Sequence, residues 1–148
     1  MPLFASARLR LLERFTEIAA RRRPPEPAHL ATGRRGELAA YFHLRRHGYI
    51  VVARGWRSGR LRGDIDLIAW EGDTLCFVEV KTRTTRDVAT AEAAVDEDKR
   101  RTLRRLARSY MRQLPHQGTF ARFDILSIYF EKEKATEFEL FRSAFDWS

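Results

Sequence analysis

Apolar residues recur along this chain with two different periods, and the changes of period divide it into elements. Near the N-terminus Leu9, Leu12, Phe15 and Ala19 fall at helical spacing among many arginines. Pro24 to Pro27 then read as a stiff, extended linker through which no helix continues. Residues 33–47 (GRRGELAAYFHLRRH) predict a second helix, with Leu38, Phe42 and Leu44 among its apolar positions and Gly48 as its stop. The β-branched and aromatic run 49–56 (YIVVARGW) predicts a strand, followed by a basic, glycine-containing loop over 57–63. Residues 64–70 (DIDLIAW) alternate strictly, Gly72-Asp73 signals a turn, and 74–82 (TLCFVEVKT) is the next strand. A polar loop at 83–92 leads to a basic amphipathic helix over 93–113, with Val95, Leu103, Leu106, Tyr110 and Leu114 near one face. Strands at 119–130 and 137–141 complete the chain.

The domain is therefore of the α/β class, a mixed central sheet flanked by helices in the order α-β-β-β-α-β-β, with an extra N-terminal helical arm. Short connections let the first three strands form a meander. The helix at 93–113 is long enough to be a crossover that returns the chain parallel to an earlier strand. The folded domain is expected over 32–148, with 1–31 as a basic arm and Pro-rich linker. The arm packs on the domain or on a second copy in this reading, a disordered tail being the alternative. It lacks the long apolar stretch and cleavage site of a secretory signal, and Glu13 and Glu17 argue against an organelle transit peptide.

Composition narrows the function classes. The chain has 148 residues, 44% hydrophobic and 32% charged, enough for one domain with a real core. No apolar run approaches the roughly 18 residues that cross a bilayer, so integral membrane association is not expected. Cys76 stands alone, which excludes an internal disulfide, and the four histidines form no zinc motif. The net charge of +8 favours an anionic partner. It is unevenly placed: +5 over residues 1–36, −2 over 37–98, +7 over 99–118 and −2 over 119–148. An acidic centre within a basic protein suggests a cation site beside a polyanion site.

The acidic centre has a register. A two-residue Gly72-Asp73 loop pairs Glu71 with Thr74 and carries the pairing outward until Asp66 faces Glu79 and Asp64 faces Lys81. Asp64, Asp66 and Ile68 then share one face of their strand, with Ile65, Leu67 and Ala69 on the other. Opposed like charges destabilise a ladder unless something compensates them. A shared proton, Lys81 or a divalent cation would each do so. Carboxylate oxygens are what Mg2+ takes, with waters filling the remaining positions. A lysine nearby can position a nucleophile or stabilise negative charge on a phosphate. These are the parts of metal-assisted phosphodiester hydrolysis.

GDIDLIAW followed by FVEVKTR resembles the PD-(D/E)XK nuclease signature, an acid on one strand and Glu-X-Lys on the next. With GRRGELAA, the GWR of 55–57, the stretch Val95 to Lys99, and RFDIL in order, residues 32–130 resemble the YraN-like family of uncharacterised bacterial proteins, which is related to Holliday-junction resolvases. The resemblance implies a restriction-endonuclease-like core. It implies Asp66 and Glu79 as ligands of Mg2+ or Mn2+, Lys81 as the catalytic lysine, and Glu37 as an additional or water-mediated ligand. Asp64 stands where the family usually has Glu, a shorter carboxylate and the weakest of the ligand candidates. The resemblance shows no counterpart of the N-terminal arm. It also implies a homodimer, as related resolvases act on two-fold substrates.

The remaining candidates are read against plainer roles. An acid at Glu37 could equally favour the helix N-terminus. Residues 99–118 contain no acid, so Lys99, Arg100, Arg104 and Arg108 are expected to contact phosphates rather than simply solvate a helix. Lys99 is placed by the resemblance at the edge of the site. Arg57, Arg60 and Arg62 either grip a backbone or are simply exposed loop. Asp124 either braces the site or caps a loop. Trp56, Trp70 and the aromatics of 120–130 are expected in the core, and Cys76 as an inert core thiol. The leading expectation is a cytoplasmic, Mg2+-dependent endonuclease acting on DNA, with branched or structured DNA favoured and RNA not excluded. The alternatives are a non-cleaving nucleic-acid-binding module on the same fold, and a basic adaptor for a partner or membrane surface.

Overall fold

Two groups of buried side chains lie on opposite faces of one five-stranded sheet in the computed structural model, which describes residues 2–21, 26–86 and 95–148. The elements are α1 (Pro2–Arg21), α2 (Ala28–Arg46), β1 (Ile50–Trp56), β2 (Ile65–Glu71), β3 (Thr74–Arg83), α3 (Glu97–Met111), β4 (Ala121–Tyr129) and β5 (Glu137–Phe145). The spatial order is β1-β2-β3-β4-β5. The β3–β4 pair is parallel and the other pairs are antiparallel, so the sheet is mixed and α3 is its crossover. Ala40 and Leu44 of α2 pack with Leu67, Ala69, Cys76, Val78, Val80, Leu126 and Ile128. On the other face Leu103, Leu106 and Ala107 of α3 pack with Ile68, Leu75, Phe77, Phe123 and Ile125. No helix among the described residues is long and apolar enough to cross a membrane.

The hairpin register is as expected: Glu71 pairs with Thr74, and the ladder runs back to Leu67 with Val78. Gly72 supplies the positive φ (57°) that the tight turn needs. Strict alternation fails at one place. Ile65 joins the group containing Ile68 rather than that of Leu67 and Ala69. Pairing of β2 with β3 stops at Leu67, so residues 65 and 66 are held on one side only, by β1 through Trp56 with Ile65.

Element ends differ from the pattern where side chains are exposed. α2 starts at Ala28, just after Pro27, instead of at residue 33. Its first turn is closed by the Ala31 N–H donating to Pro27 O (3.1 Å) and by Thr32 Oγ1 donating to Ala28 O (2.9 Å). Exposed residues there leave no apolar period to read. α3 starts at Glu97, where the Asp96 side chain accepts from the Lys99 N–H (2.9 Å) as an N-cap. β5 runs to Phe145, past 141, through a register shift opposite Phe123/Ile125 and a positive φ at Ser143. The expected linker at 24–27 lies in part outside the described residues, as do residues 87–92 of the expected loop and the expected first residues of the α3 helix.

One close approach fixes α2 on the sheet. A Cβ on Gly36 would stand 1.9 Å from Thr82 Oγ1, so α2 reaches β3 only because it carries glycine there. α1 is attached lightly, with Arg46 of α2 donating to Glu13 (2.5 Å), while Leu11, Leu12, Phe15 and Ile18 face solvent.

Candidate functional site

The site lies where β2 and β3 part. Beyond Leu67 and Val78 the ladder stops, and Asp66 Oδ2 accepts the Val80 backbone N–H at 2.7 Å. Opposite it Glu79 is buried, 4% exposed, at a position the alternation of β3 directs toward α3 with Phe77. Lys81 Nζ lies 3.2 Å from Glu79 Oε1, and Lys99 Nζ of α3 lies 3.4 Å from Oε2. Among the described residues Glu79 Oε2 nonetheless has no partner that meets hydrogen-bond geometry.

Burial pushes the Asp66 carboxyl up to about 7; the charge of Glu79 adds to this, and the Val80 N–H works against it. Glu37, exposed at the rim, is also held above its usual range, first by the protein packed around it and then by Asp64. Its charge in turn raises Asp66, so Glu37, Asp64, Asp66 and Glu79 act on one another electrostatically. Beside Glu37 a cleft of about 450 Å3 is lined by His29, Thr32, Gly33, Val80, Thr82 and Thr84, among others.

The donor set suits a hard cation: carboxylate oxygens with one buried lone-pair oxygen left without a donor. Among the described residues no three His, Cys, Asp or Glu side chains converge in a metal-holding cluster. A cation would therefore rest on Asp66 and Glu79, with solvent for its other positions, an arrangement Mg2+ commonly accepts.

Of the basic candidates, the fold brings Lys99 into the site. Arg100 Nε donates to Val95 O (2.9 Å) beneath the helix N-terminus. Arg104 is buried and engaged, donating to Asp146 O (2.9 Å) and Glu97 Oε1 (2.7 Å). Arg108 donates to Trp147 O (2.8 Å). These two arginines hold the C-terminal segment, a long-range contact that a helical charge pattern does not disclose. Arg57, Arg60 and Arg62 are exposed on the β1–β2 loop. Asp124 neither braces the acids nor caps a loop: it accepts from Arg122 Nε (2.9 Å) and from the Ser143 N–H (2.9 Å), securing β5.

Cys76 is fully buried, and burial pushes its thiol up to about 12, the behaviour of an inert core cysteine. Trp56 and Trp70 pack against the core and Phe123 lies within it, but Phe120 is 73% exposed. Sequence reasoning passed over Arg83, which is buried on β3. Its place on the same strand face, two residues after Lys81 and four after Glu79, was the available signal.

A family model described as an uncharacterised protein family, UPF0102, matches residues 36–128, a span that includes Glu37, Asp66, Glu79, Lys81 and Lys99. A UPF0102 protein of Koribacter versatilis (strain Ellin345) is 53% identical over 137 residues, covering 88% of this chain and 94% of the relative. A UPF0102 protein of Solibacter usitatus (strain Ellin6076) is 42% identical over 135 residues, covering 91% and 98%. A third, from Parafrankia sp. (strain EAN1pec), is 42% identical over 113 residues, covering 76% and 94%. An alignment over 91% of the chain necessarily runs into the N-terminal arm, so the arm does have counterparts among these relatives. With more than half of the chain matched by the family model and relatives of this identity spanning most of its length, the chain belongs to the uncharacterised protein family UPF0102.

Proposed function

We propose that this protein is a phosphodiester hydrolase acting on DNA with the help of Mg2+ or Mn2+. The observation that carries the reading is the half-buried Asp66 and the buried Glu79, which act on each other electrostatically where β2 and β3 part, with Lys81 and Lys99 directed at Glu79. Two carboxylates driven together inside a sheet raise the energy of the fold, an arrangement expected where charge is put to use. When bound, a divalent cation would supply Lewis acidity and help deprotonate an attacking water.

Asp66 and Glu79 would hold that cation, Asp66 after giving up its proton, while the Val80 N–H keeps its carboxylate in place. Glu37 would hold a further water or ligand position at the rim. Lys81 would orient the attacking water and balance charge on the phosphate. Lys99, with Arg57, Arg60 and Arg62 on the exposed loop, would hold the strand by its phosphates, which favours recognition by shape over sequence. This reading includes a restriction-endonuclease-like core, a cytoplasmic location and action on branched DNA by a homodimer.

One observation favours a second reading, a module that binds nucleic acid without cutting: two lysines already balance Glu79 without a cation. A cleavage assay on linear, single-stranded, flapped and four-way DNA with Mg2+ or Mn2+ separates the two. Glu79→Ala and Lys81→Ala are each expected to lower cutting by about a hundredfold or more while binding persists. Tight binding by the wild type with no cutting of any DNA or RNA substrate supports the non-cleaving module instead.

A further inference from the structure

We propose that Arg83 and Ser127 form a phosphate-binding subsite beside Glu79 and Lys81, taking a phosphate group of a nucleic-acid strand through the Nε–Nη2 edge of the guanidinium; the strand as ligand rests on the function proposed above. Arg83 is 8% exposed, and neither its Nε nor its Nη2 has a hydrogen-bond partner among the described residues. Ser127 is fully buried and its Oγ is likewise unpartnered among the described residues.

The sheet places these groups together. Ser127 is in register with Lys81, and Ile125 with Glu79. Ile125 packs on the α3 face, whereas Leu126 and Ile128 pack on the α2 face. Alternation therefore puts Ser127 on the face that carries Glu79, Lys81 and Arg83.

Among the described residues, three acids of this region are already engaged. Glu79 faces Lys81 and Lys99, while Glu131 and Glu137 accept from Arg86. A buried guanidinium without an acceptor is strongly unfavourable, so the arrangement calls for an incoming anion. Nε and Nη2 are the two parallel donors that match a pair of oxygens on one anion. The Ser127 hydroxyl, from the adjacent strand, adds a donor for a third oxygen. A phosphate has that third oxygen and a carboxylate does not.

The test is titration of inorganic phosphate into the full-length protein without divalent cation, followed by thermal shift and phosphorus NMR linewidth. Phosphate is expected to raise the Tm of the wild type. Arg83→Gln should weaken its binding by about tenfold or more, the loss of a two-bond charged contact. Arg83→Lys keeps the charge but loses the paired donors, and should also bind more weakly. Ser127→Ala should weaken binding severalfold without lowering Tm, because it removes a buried hydroxyl that has no partner. If Arg83→Gln does not fold, the Lys and Ser127 variants decide.

An oligothymidylate carrying a 5′-phosphate, competing against its unphosphorylated twin, separates a strand-end phosphate from an internal one. No phosphate response in the wild type, or equal binding by all variants, overturns the subsite. Arg83-dependent phosphate binding without any cleavage would sink the hydrolase reading and leave the subsite standing. Cleavage with phosphate binding indifferent to Arg83 would do the reverse.

Discussion

Asp66 and His43 make opposite demands on pH. Asp66 holds its proton up to about 7 in the fold, whereas an unfolded aspartate loses it near 4. Between those values the folded state binds the extra proton, so this residue makes stability fall as pH rises from about 4 to about 7. Asp66→Asn keeps an acceptor for the Val80 N–H and is expected to raise Tm at pH 8 and remove that slope, in protein free of divalent cations. His43 stacks on Phe138 with ring centres 4.1 Å apart. Its burial, with the charges of His47 and Arg46, lowers its pKa to about 4. Here the unfolded state takes the proton first, so stability rises with pH from about 4 to about 6.5. His43→Phe keeps a ring on Phe138 and should flatten that part of the profile. Thermal denaturation of the two single variants across pH separates the opposing slopes. The register that carries β2 toward Glu79, as far as Leu67 with Val78, was legible from a turn and a two-residue period. The stacking of His43 on Phe138 was not, since it joins α2 to β5 across the sheet.

At the scale of elements, α2 carries Glu37 to the site only because Gly36 lets the helix approach Thr82. Alanine at 36 would favour the helix intrinsically by up to about 1 kcal/mol. A Cβ 1.9 Å from the Oγ1 of a β-branched side chain outweighs this, and a net destabilisation of about 1–3 kcal/mol is expected in urea denaturation. Thr82→Ala in the same chain should restore most of it, a non-additivity that marks direct contact. A tilt of α2 in Gly36→Ala would also move Glu37. The helices and strands themselves were readable because their buried positions repeat locally, as Val95, Leu103 and Leu106 of the α3 region do. Their ends were less so: the first turn of α2 is exposed, and the end of β5 depends on a register shift against β4.

Across the whole molecule the termini differ in how firmly they are held. Arg104 and Arg108 bond the backbone of Asp146 and Trp147, and the Trp147 ring lies 4.5 Å from that of Phe123 with its Nε1 donating to Ala121 O (3.1 Å). Trp147→Ala is expected to cost about 2 kcal/mol or more, read by urea denaturation. α1 instead turns Leu11, Leu12, Phe15 and Ile18 to solvent and is joined to α2 by the part-exposed Arg46–Glu13 pair among other contacts, and such pairs contribute between zero and about 1 kcal/mol. Deleting residues 1–21 should therefore change stability by about 1 kcal/mol or less. Cleavage chemistry should survive that deletion if it resides in the sheet, whereas an adaptor working through the arm would lose its activity. Sedimentation velocity of both forms reports whether the outward apolar side chains Leu11, Leu12, Phe15 and Ile18 contribute to a homodimer.

The sequence by itself determined what depends on neighbours in the chain. The strand and helix periods, the turn at Gly72-Asp73, and the register from Glu71 with Thr74 to Leu67 with Val78 all follow from local sterics and the alternation of side chains. Tertiary structure decided what depends on residues far apart. The parting of β2 from β3 turns the Asp66 side chain onto the Val80 N–H. The approach of α3 brings Lys99 to Glu79, and the C-terminal segment captures Arg104. The parallel pairing of β3 with β4 sets Ser127 beside Lys81 on the face that buries Arg83. Burial and charge pairing are set by whatever closes over a side chain, and a periodic pattern along one strand carries no record of it.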